Sequence, residues 1–311
     1  MKRIKHGGQP KILVALIAMC SCMGCVVVKP SADHTLQVSR WIGSQTVTVL
    51  GGPSHVVHPT MQTVNTTTRR LASEGKPDVL LVAMCHMGDS TYYDRMQEIL
   101  DDTDVILLEN FDLGERNSAF WKAFELEVAR RGLHWTGQYL ADRFEFEAQG
   151  SRGWSPERAE VRHADWTAAD VEAIFAGDAE DYVAFLTNAR FLQPVKALES
   201  APNPLRSKWI SYTFGSLEVS TCNATRLANR GEATGGVAPH GTFVWFLWER
   251  NNVLWKALQQ LIEEGDASIT IAVPWGVAHQ EDIAKRLERV YDYSVAEEYW
   301  IVVTTWPVEA K

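Results

Sequence analysis

The stretch DVLLVAMCHMGDSTYYDRMQEILDDTDVILLEN, residues 78–110, decides the architecture. Its first nine residues, 78–86, form a nearly unbroken apolar run of strand length that closes on His86. A run without the polar alternation of a half-solvated strand marks a strand covered on both faces. Tyr92, Met96, Ile99 and Leu100 then recur at helical spacing, and 104–110 is a second apolar run closing on Glu109 and Asn110. Strand, helix, strand in this order predicts an α/β fold.

Working outward, the C-terminal part repeats the same grammar. ASITIAVPWGVAH (267–279) reads as a strand ending in His279, residues 280–290 as a helix with Ile283, Leu287 and Val290 on one face, and EYWIVVTTW (298–306) as a strand. The expected fold is therefore a central mixed β-sheet built from two strand–His–helix–strand units, flanked by helices, with a largely helical insertion in the middle. That middle has helices expected at 117–131 and 167–176, a polar loop near 148–156, and a helical pattern over 181–195. Asp165 or Thr167 is the candidate cap of the second helix. Strand-like pieces lie within 205–227. A long helix is expected from Val244 to Gly265, with Leu254, Ala257, Leu258, Leu261 and Ile262 as its apolar stripe and Gly265 as its stop. Upstream, 46–50 suggests a strand, whereas 51–70 reads as turn-rich with no clear element.

The chain has 311 residues, 46% of them hydrophobic and 22% charged, which suits a globular body with a substantial core. Its net charge of −9 argues against nucleic acid as the main partner, because phosphate binding needs a basic footprint. The first residues differ from the body. Lys2, Arg3 and Lys5 precede an apolar segment from Ile12 to Met19, then small residues with Cys20, Cys22 and Cys25, the order of a secretory signal. The segment is too short for a membrane-spanning helix. Gly24 before Cys25, and Ser21 before Cys22, suit the small residue that precedes an acylated cysteine. Cys25 is favoured, since it leaves the longer apolar segment and a polar, Pro-containing tether follows; an ordinary cleaved signal is the alternative. The expected organisation is a lipoprotein signal peptide at 1–25, a tether at 26–40 and a single α/β domain at 41–311 with 178–240 as a variable insertion. The expected location is the bacterial periplasm, anchored to a membrane, most simply the outer one, by the N-terminal lipid. Cys85, inside an apolar run, reads as a small buried residue, with a disulfide to Cys222 as the lesser alternative.

Binding sites of open α/β sheets form beyond the carboxyl ends of strands. His86 and His279 both fall there, and two imidazoles converging on one pocket can hold a metal or exchange protons. Glu109, at the end of the next strand, is a candidate ligand or general base on the same edge. In WERNN, Arg250 interrupts an apolar stretch, where it would pair with a buried carboxylate or hold a substrate oxyanion. Asp165 either faces the site or caps a helix. Trp245, Trp248 and Trp255 read as core more readily than as a binding groove. His-Glu-x-x-His, Gly-x-Ser-x-Gly, P-loop and Gly-x-Gly-x-x-Gly signatures are absent from the sequence. Gly88-Asp89-Ser90 resembles the opening block of lipolytic esterases, but Gly276 stands where the aspartate preceding their distal His belongs.

Four segments taken together resemble the TraB/GumN/Tiki family: residues 86–110, VRHADWTAADVEAIF (161–175), LWERNNVLWKALQQLIEEG (247–265) and VPWGVAHQEDIAKRLERVYDY (273–293). That family is marked by two Gly-x-x-His motifs, an acidic residue closing the strand after the first, and a Glu-Arg-Asn-type motif before the second. The resemblance covers residues 78–175 and 243–306. The second His motif is complete from Gly276 to His279, Glu109, Arg250 and Asn251 match, and HADW at 163–166 is similar to a stretch in bacterial members. Ala83 stands where the first Gly is expected. The resemblance implies an α/β core with a helical insertion. For the animal Tiki branch it also implies metal-dependent proteolysis; carried over to this chain, His86, His279 and Glu109 would hold Mn²⁺, Co²⁺ or Zn²⁺ and act on a peptide or small-molecule substrate. Arg250 would stabilise oxyanion charge or orient Glu109, and Asn251 would support the arrangement by hydrogen bonding. Fold relatives imply two alternatives: an erythromycin-esterase-like hydrolase using a His/Glu acid–base pair without metal, and a non-catalytic, haem- or ligand-binding regulatory lipoprotein of the ChaN-like kind.

Overall fold

In the computed structural model, the described residues are 44–51, 58–85, 87–109, 118–149, 158–189, 191–194, 196 and 243–307. The chain begins with antiparallel strands β1 (Ser44–Gly51) and β2 (His58–Ala72). β3 (Asp78–Met84), β4 (Met87–Gly88), helix α1 (Ser90–Asp101) and β5 (Val105–Leu108) follow. The middle holds α2 (Ala119–Arg130), β6 (Leu133–Trp135), α3 (Thr136–Phe144), β7 (Glu147–Ala148) and β8 (Glu160–His163). It continues through α4 (Ala168–Ile174), α5 (Ala179–Asn188) and β9 (Leu192–Pro194). The last elements are α6 (Phe243–Glu264), β10 (Thr270–Gly276), α7 (Val277–Tyr291) and β11 (Ser294–Pro307). All described residues belong to one unit within 41–311. The signal, the tether and Cys25 lie outside the described residues, as do Cys222 and most of 178–240.

The sheet is mixed, as expected, with strand order β1-β2-β3-β10-β5-β8 and β11 also paired to β2. β3, β10, β5 and β8 run parallel, while β1, β3 and β11 each pair antiparallel with β2. The two strand–helix–strand units interleave: β10 inserts between β3 and β5, pairing Thr270–Gly276 with Asp78–Met84 along its whole length. Residues 58–72, where the sequence suggested turns, are instead a long strand. Thr66, Thr67 and Thr68 are buried in it, and β-branched threonine suits a pleated strand with neighbours.

Successive side chains of a strand point to opposite faces. Leu80, Val82 and Met84 of β3 pack with Tyr92, Tyr93, Met96 and Ile99 of α1. Val79 and Leu81 pack on the other face with Leu254, Leu258, Leu261 and Ile262 of α6 and with Ile283 and Leu287 of α7. The expected stripe of α6 is thus the one it buries; truncating the fully buried Leu258 to Ala should cost about 2–5 kcal/mol. Gly265 follows the last residue of α6, and only glycine suits that position, since a Cβ there would lie 2.2 Å from the Leu261 carbonyl oxygen. Val290, expected on the buried face of α7, is 46% exposed. At that end the half-buried Tyr291 and the buried Tyr293 supply the cover, with the Tyr293 hydroxyl donating to the Pro77 carbonyl.

The middle region has its own aromatic core of Phe120, Trp121, Phe124, Phe175, Tyr182 and Phe185, closed by Trp166, Trp245 and Phe246. The helix expected over 181–195 stops at Asn188, and 192–194 pairs antiparallel with β6. Trp245 belongs to this core and Trp255 packs against the sheet-facing one.

Candidate active site

Pro274 shapes the carboxyl end of the sheet. A proline in a central strand has no N–H for the ladder, and the pairing of β10 with β5 ends at Ala272 and Ile106. Beyond that point side chains take over from the ladder. The Trp275 indole N–H donates to the Leu107 carbonyl at 3.0 Å, and Gln280 Nε2 donates to the carbonyls of Val82 at 3.2 Å and Trp275 at 2.7 Å. The strand stops at Gly276, so His279 stands in the first turn of α7 and not at the strand end.

Glu109 leaves the end of β5 beside this crevice, with its side chain only 5% exposed. One carboxylate oxygen accepts the Gly276 N–H. The other accepts from Arg250 Nη2 at 2.8 Å and lies 3.5 Å from His279 Nε2. Arg250 comes from α6, and its Nε also donates to Asp165 at 2.9 Å, with a second bond from Nη2. Asp165 therefore faces the site and Thr167 caps α4, in a capping box with Asp170. The Trp166 N–H donates to Asp165 at 2.8 Å. Burial opposes the Arg250 charge, but Asp165 and Glu109 outweigh it and lift the guanidinium pKa above its ordinary value. The rings of Phe246 and Trp275 lie 5.0 and 5.3 Å from that guanidinium.

His279 is 2% exposed and meets Trp275 edge-on at 5.0 Å. Its Nδ1 contacts Asn251 Oδ1, and Asn251 Nδ2 donates to Asp282 at 2.8 Å. Arg286 in turn lies 2.8 Å from Asp282. Asp282, Arg286, Gln280 and Trp275 were not singled out from the sequence. Asp282 and Arg286 follow His279 at i+3 and i+7, on the stripe that also carries Ile283 and Leu287. Polar residues on a core stripe were the available signal.

His86 lies outside the described residues, but the backbone leading to it is held tightly. The Tyr92 hydroxyl accepts the Cys85 N–H at 3.0 Å and donates to the Ala83 carbonyl at 3.3 Å, while the Tyr93 hydroxyl donates to the Cys85 carbonyl at 2.9 Å. Ala83, in place of the expected glycine, is buried within β3. Cys85 is a free, buried thiol, and burial raises its pKa. Ser90 opens α1 on its exposed side.

The described groups thus bring together Glu109, Arg250, Asp165, Asn251 and His279. Within this network three carboxylates, of Glu109, Asp165 and Asp282, face two guanidiniums, of Arg250 and Arg286. Among the described residues no group of three or more His, Cys, Asp or Glu side chains stands together as a metal site, and no helix is long and apolar enough to cross a membrane. No family model matches the chain, and neither the curated proteins nor the solved structures contain a match.

Proposed function

We propose that the chain is an exported, lipid-anchored hydrolase resembling the TraB/GumN/Tiki type, with His279 and Glu109 as its working pair and His86 as their third member. One observation carries this reading: His279 Nε2 faces a Glu109 oxygen at 3.5 Å, too far for a direct hydrogen bond, inside a buried network of carboxylates and guanidiniums. Two ligands held about 2.1 Å from a tetrahedral cation stand roughly 3.4 Å apart, so the pair fits neighbouring positions on a divalent ion. Imidazole and carboxylate donors suit Mn²⁺, Co²⁺ or Zn²⁺. Such an ion, when bound, lowers the pKa of a coordinated water toward neutrality. The chain's own groups prepare the site: Arg250 and the Gly276 N–H hold the Glu109 carboxylate aimed at the crevice, and Asn251 holds the imidazole plane. Lipidation at Cys25 and a periplasmic location belong to the same proposal, as does a peptide or other small acyl substrate.

A second reading, a metal-free hydrolase with His279 as general base, is favoured by the two hydrogen bonds that Glu109 already accepts, one on each oxygen. The deciding experiment measures metal content in the full chain, in His279→Ala and in Glu109→Gln, beside hydrolysis of peptide and ester panels with and without chelator. Bound metal that both variants lose, with chelator-sensitive hydrolysis, supports the first reading. Chelator-resistant hydrolysis that His279→Ala abolishes supports the second. No hydrolysis, with a Soret band on haem addition that His279→Ala removes, would replace both with a haem-binding protein.

A further inference from the structure

We infer that Asp282 is a positioning residue that sets the tautomer of His279 through Asn251. A carboxylate only accepts hydrogen bonds, so the Asn251 group facing Asp282 Oδ2 at 2.8 Å must be its NH₂. The amide oxygen then faces His279 Nδ1, and an oxygen there requires a proton on that nitrogen. The neutral imidazole is therefore the Nδ1–H form, with the Nε2 lone pair turned toward Glu109. Asp282 is itself fixed. Arg286 Nη2 lies 2.8 Å from it one helical turn on, Arg286 Nη1 donates to Asn252 at 2.9 Å, and the guanidinium sits 4.8 Å over the Trp248 ring. Asp282, Asn251 and Arg286 are 4%, 3% and 6% exposed, so water does not compete for these contacts.

The chain of hydrogen bonds has a direction, and Asp282 supplies it. Were Asn251 free to turn over, its NH₂ would face Nδ1, the ring proton would move to Nε2, and an N–H would point at Glu109. That form can neither bind a cation nor accept a proton through Nε2. This inference rests on the reading of Nε2 as the working atom, but its test does not use activity.

The test is long-range ¹H–¹⁵N NMR of the full chain labelled with ¹⁵N-histidine, with His279→Gln identifying the signal among the nine histidines. The protonated and bare nitrogens of a neutral ring resonate far apart, so the tautomer ratio is read directly. Wild type should hold the Nδ1–H form in at least roughly tenfold excess, since the reverse form leaves buried partners mismatched. Asp282→Asn, which can present either end of its amide to Asn251, should lower that ratio several-fold. The double exchange Asn251→Asp with Asp282→Asn restores an acceptor at Nδ1 and should restore the ratio. An Nε2–H ring in wild type, or an unchanged ratio in Asp282→Asn, overturns the inference. If Asp282→Asn does not fold, the ratios in wild type and in the double exchange decide. A confirmed Nδ1–H ring in a protein without hydrolytic activity would leave this inference standing and remove the hydrolase reading.

Discussion

Arg250→Met should be among the most damaging single changes in the molecule. The guanidinium side chain is 6% exposed and serves two carboxylates, Glu109 at 5% and Asp165 at 0%. Removing one partner of a buried ion pair typically costs about 3–5 kcal/mol, because the remaining charge has neither water nor counter-ion. Two features pull in opposite directions here. Two charges are stranded instead of one, while the Gly276 and Trp166 N–H groups keep a bond to Glu109 and Asp165 respectively. The methionine stem would also keep part of the contact with Phe246 and Trp275. The middle of the range, about 4 kcal/mol, is the expected loss. For a domain of this size each kcal/mol moves the melting temperature by about 2–4 °C, so the midpoint should fall by about 8–16 °C. Urea unfolding at pH 7, followed by circular dichroism, reads the free energy, and thermal unfolding reads the shift. Adding Asp165→Asn removes one of the stranded charges, so the double variant should be more stable than Arg250→Met alone, with a coupling of about 1–3 kcal/mol. A loss below about 1 kcal/mol in Arg250→Met, or purely additive effects in the double variant, would refute the pairing.

Three further outcomes follow from local geometry. Arg130 hydrogen bonds, helped by Arg131 and opposed by burial, hold the Glu127 carboxyl down at about 2 from an ordinary value of 4.5. A depressed carboxylate contributes stability that is present above its unfolded pKa and lost as pH falls through the folded one, so Glu127→Gln should flatten the decline in stability between those two values. In Gly88→Ala the new Cβ would meet Tyr92 Cδ1 at 2.9 Å and Val303 Cγ1 at 3.0 Å, which should cost about 1–3 kcal/mol in urea unfolding; a neutral result would mean that Tyr92 is not wedged there. Cys85, buried and with its thiol pKa pushed up, should resist alkylation in the native protein and react after unfolding, as peptide mass mapping would show.

Several parts of this architecture could be read from residues because a strong local cause produced them. The apolar runs at 78–84 and 105–108 are strands covered on both faces, and the stripe of Leu254, Leu258, Leu261 and Ile262 is a helix face. Thr167 caps α4 through a side-chain bond that depends only on its neighbours. Misreadings arose where a distant partner decides. Residues 58–72 carry Pro59, threonines and an asparagine that resemble a loop, and they are a strand because β1, β3 and β11 all pair with them. The place of β10 between β3 and β5 has no local signature either, since its neighbours lie more than 160 positions away in the chain.

The site itself shows how far a charge in an apolar setting can be followed. An ion left alone in a protein interior is so unfavourable that Arg250 inside WFLWERNN, and Glu109 at the end of VILLEN, each imply a buried partner. What the residues do not carry is the partner's address: Arg250 reaches Asp165 across 85 positions and Glu109 across 141. The same reasoning extends to Asp282 and Arg286, which break the apolar stripe of α7 one turn apart and neutralise each other. Matched in this way, the buried ions converge on one imidazole, with His279 Nε2 3.5 Å from a Glu109 oxygen that Arg250 also holds.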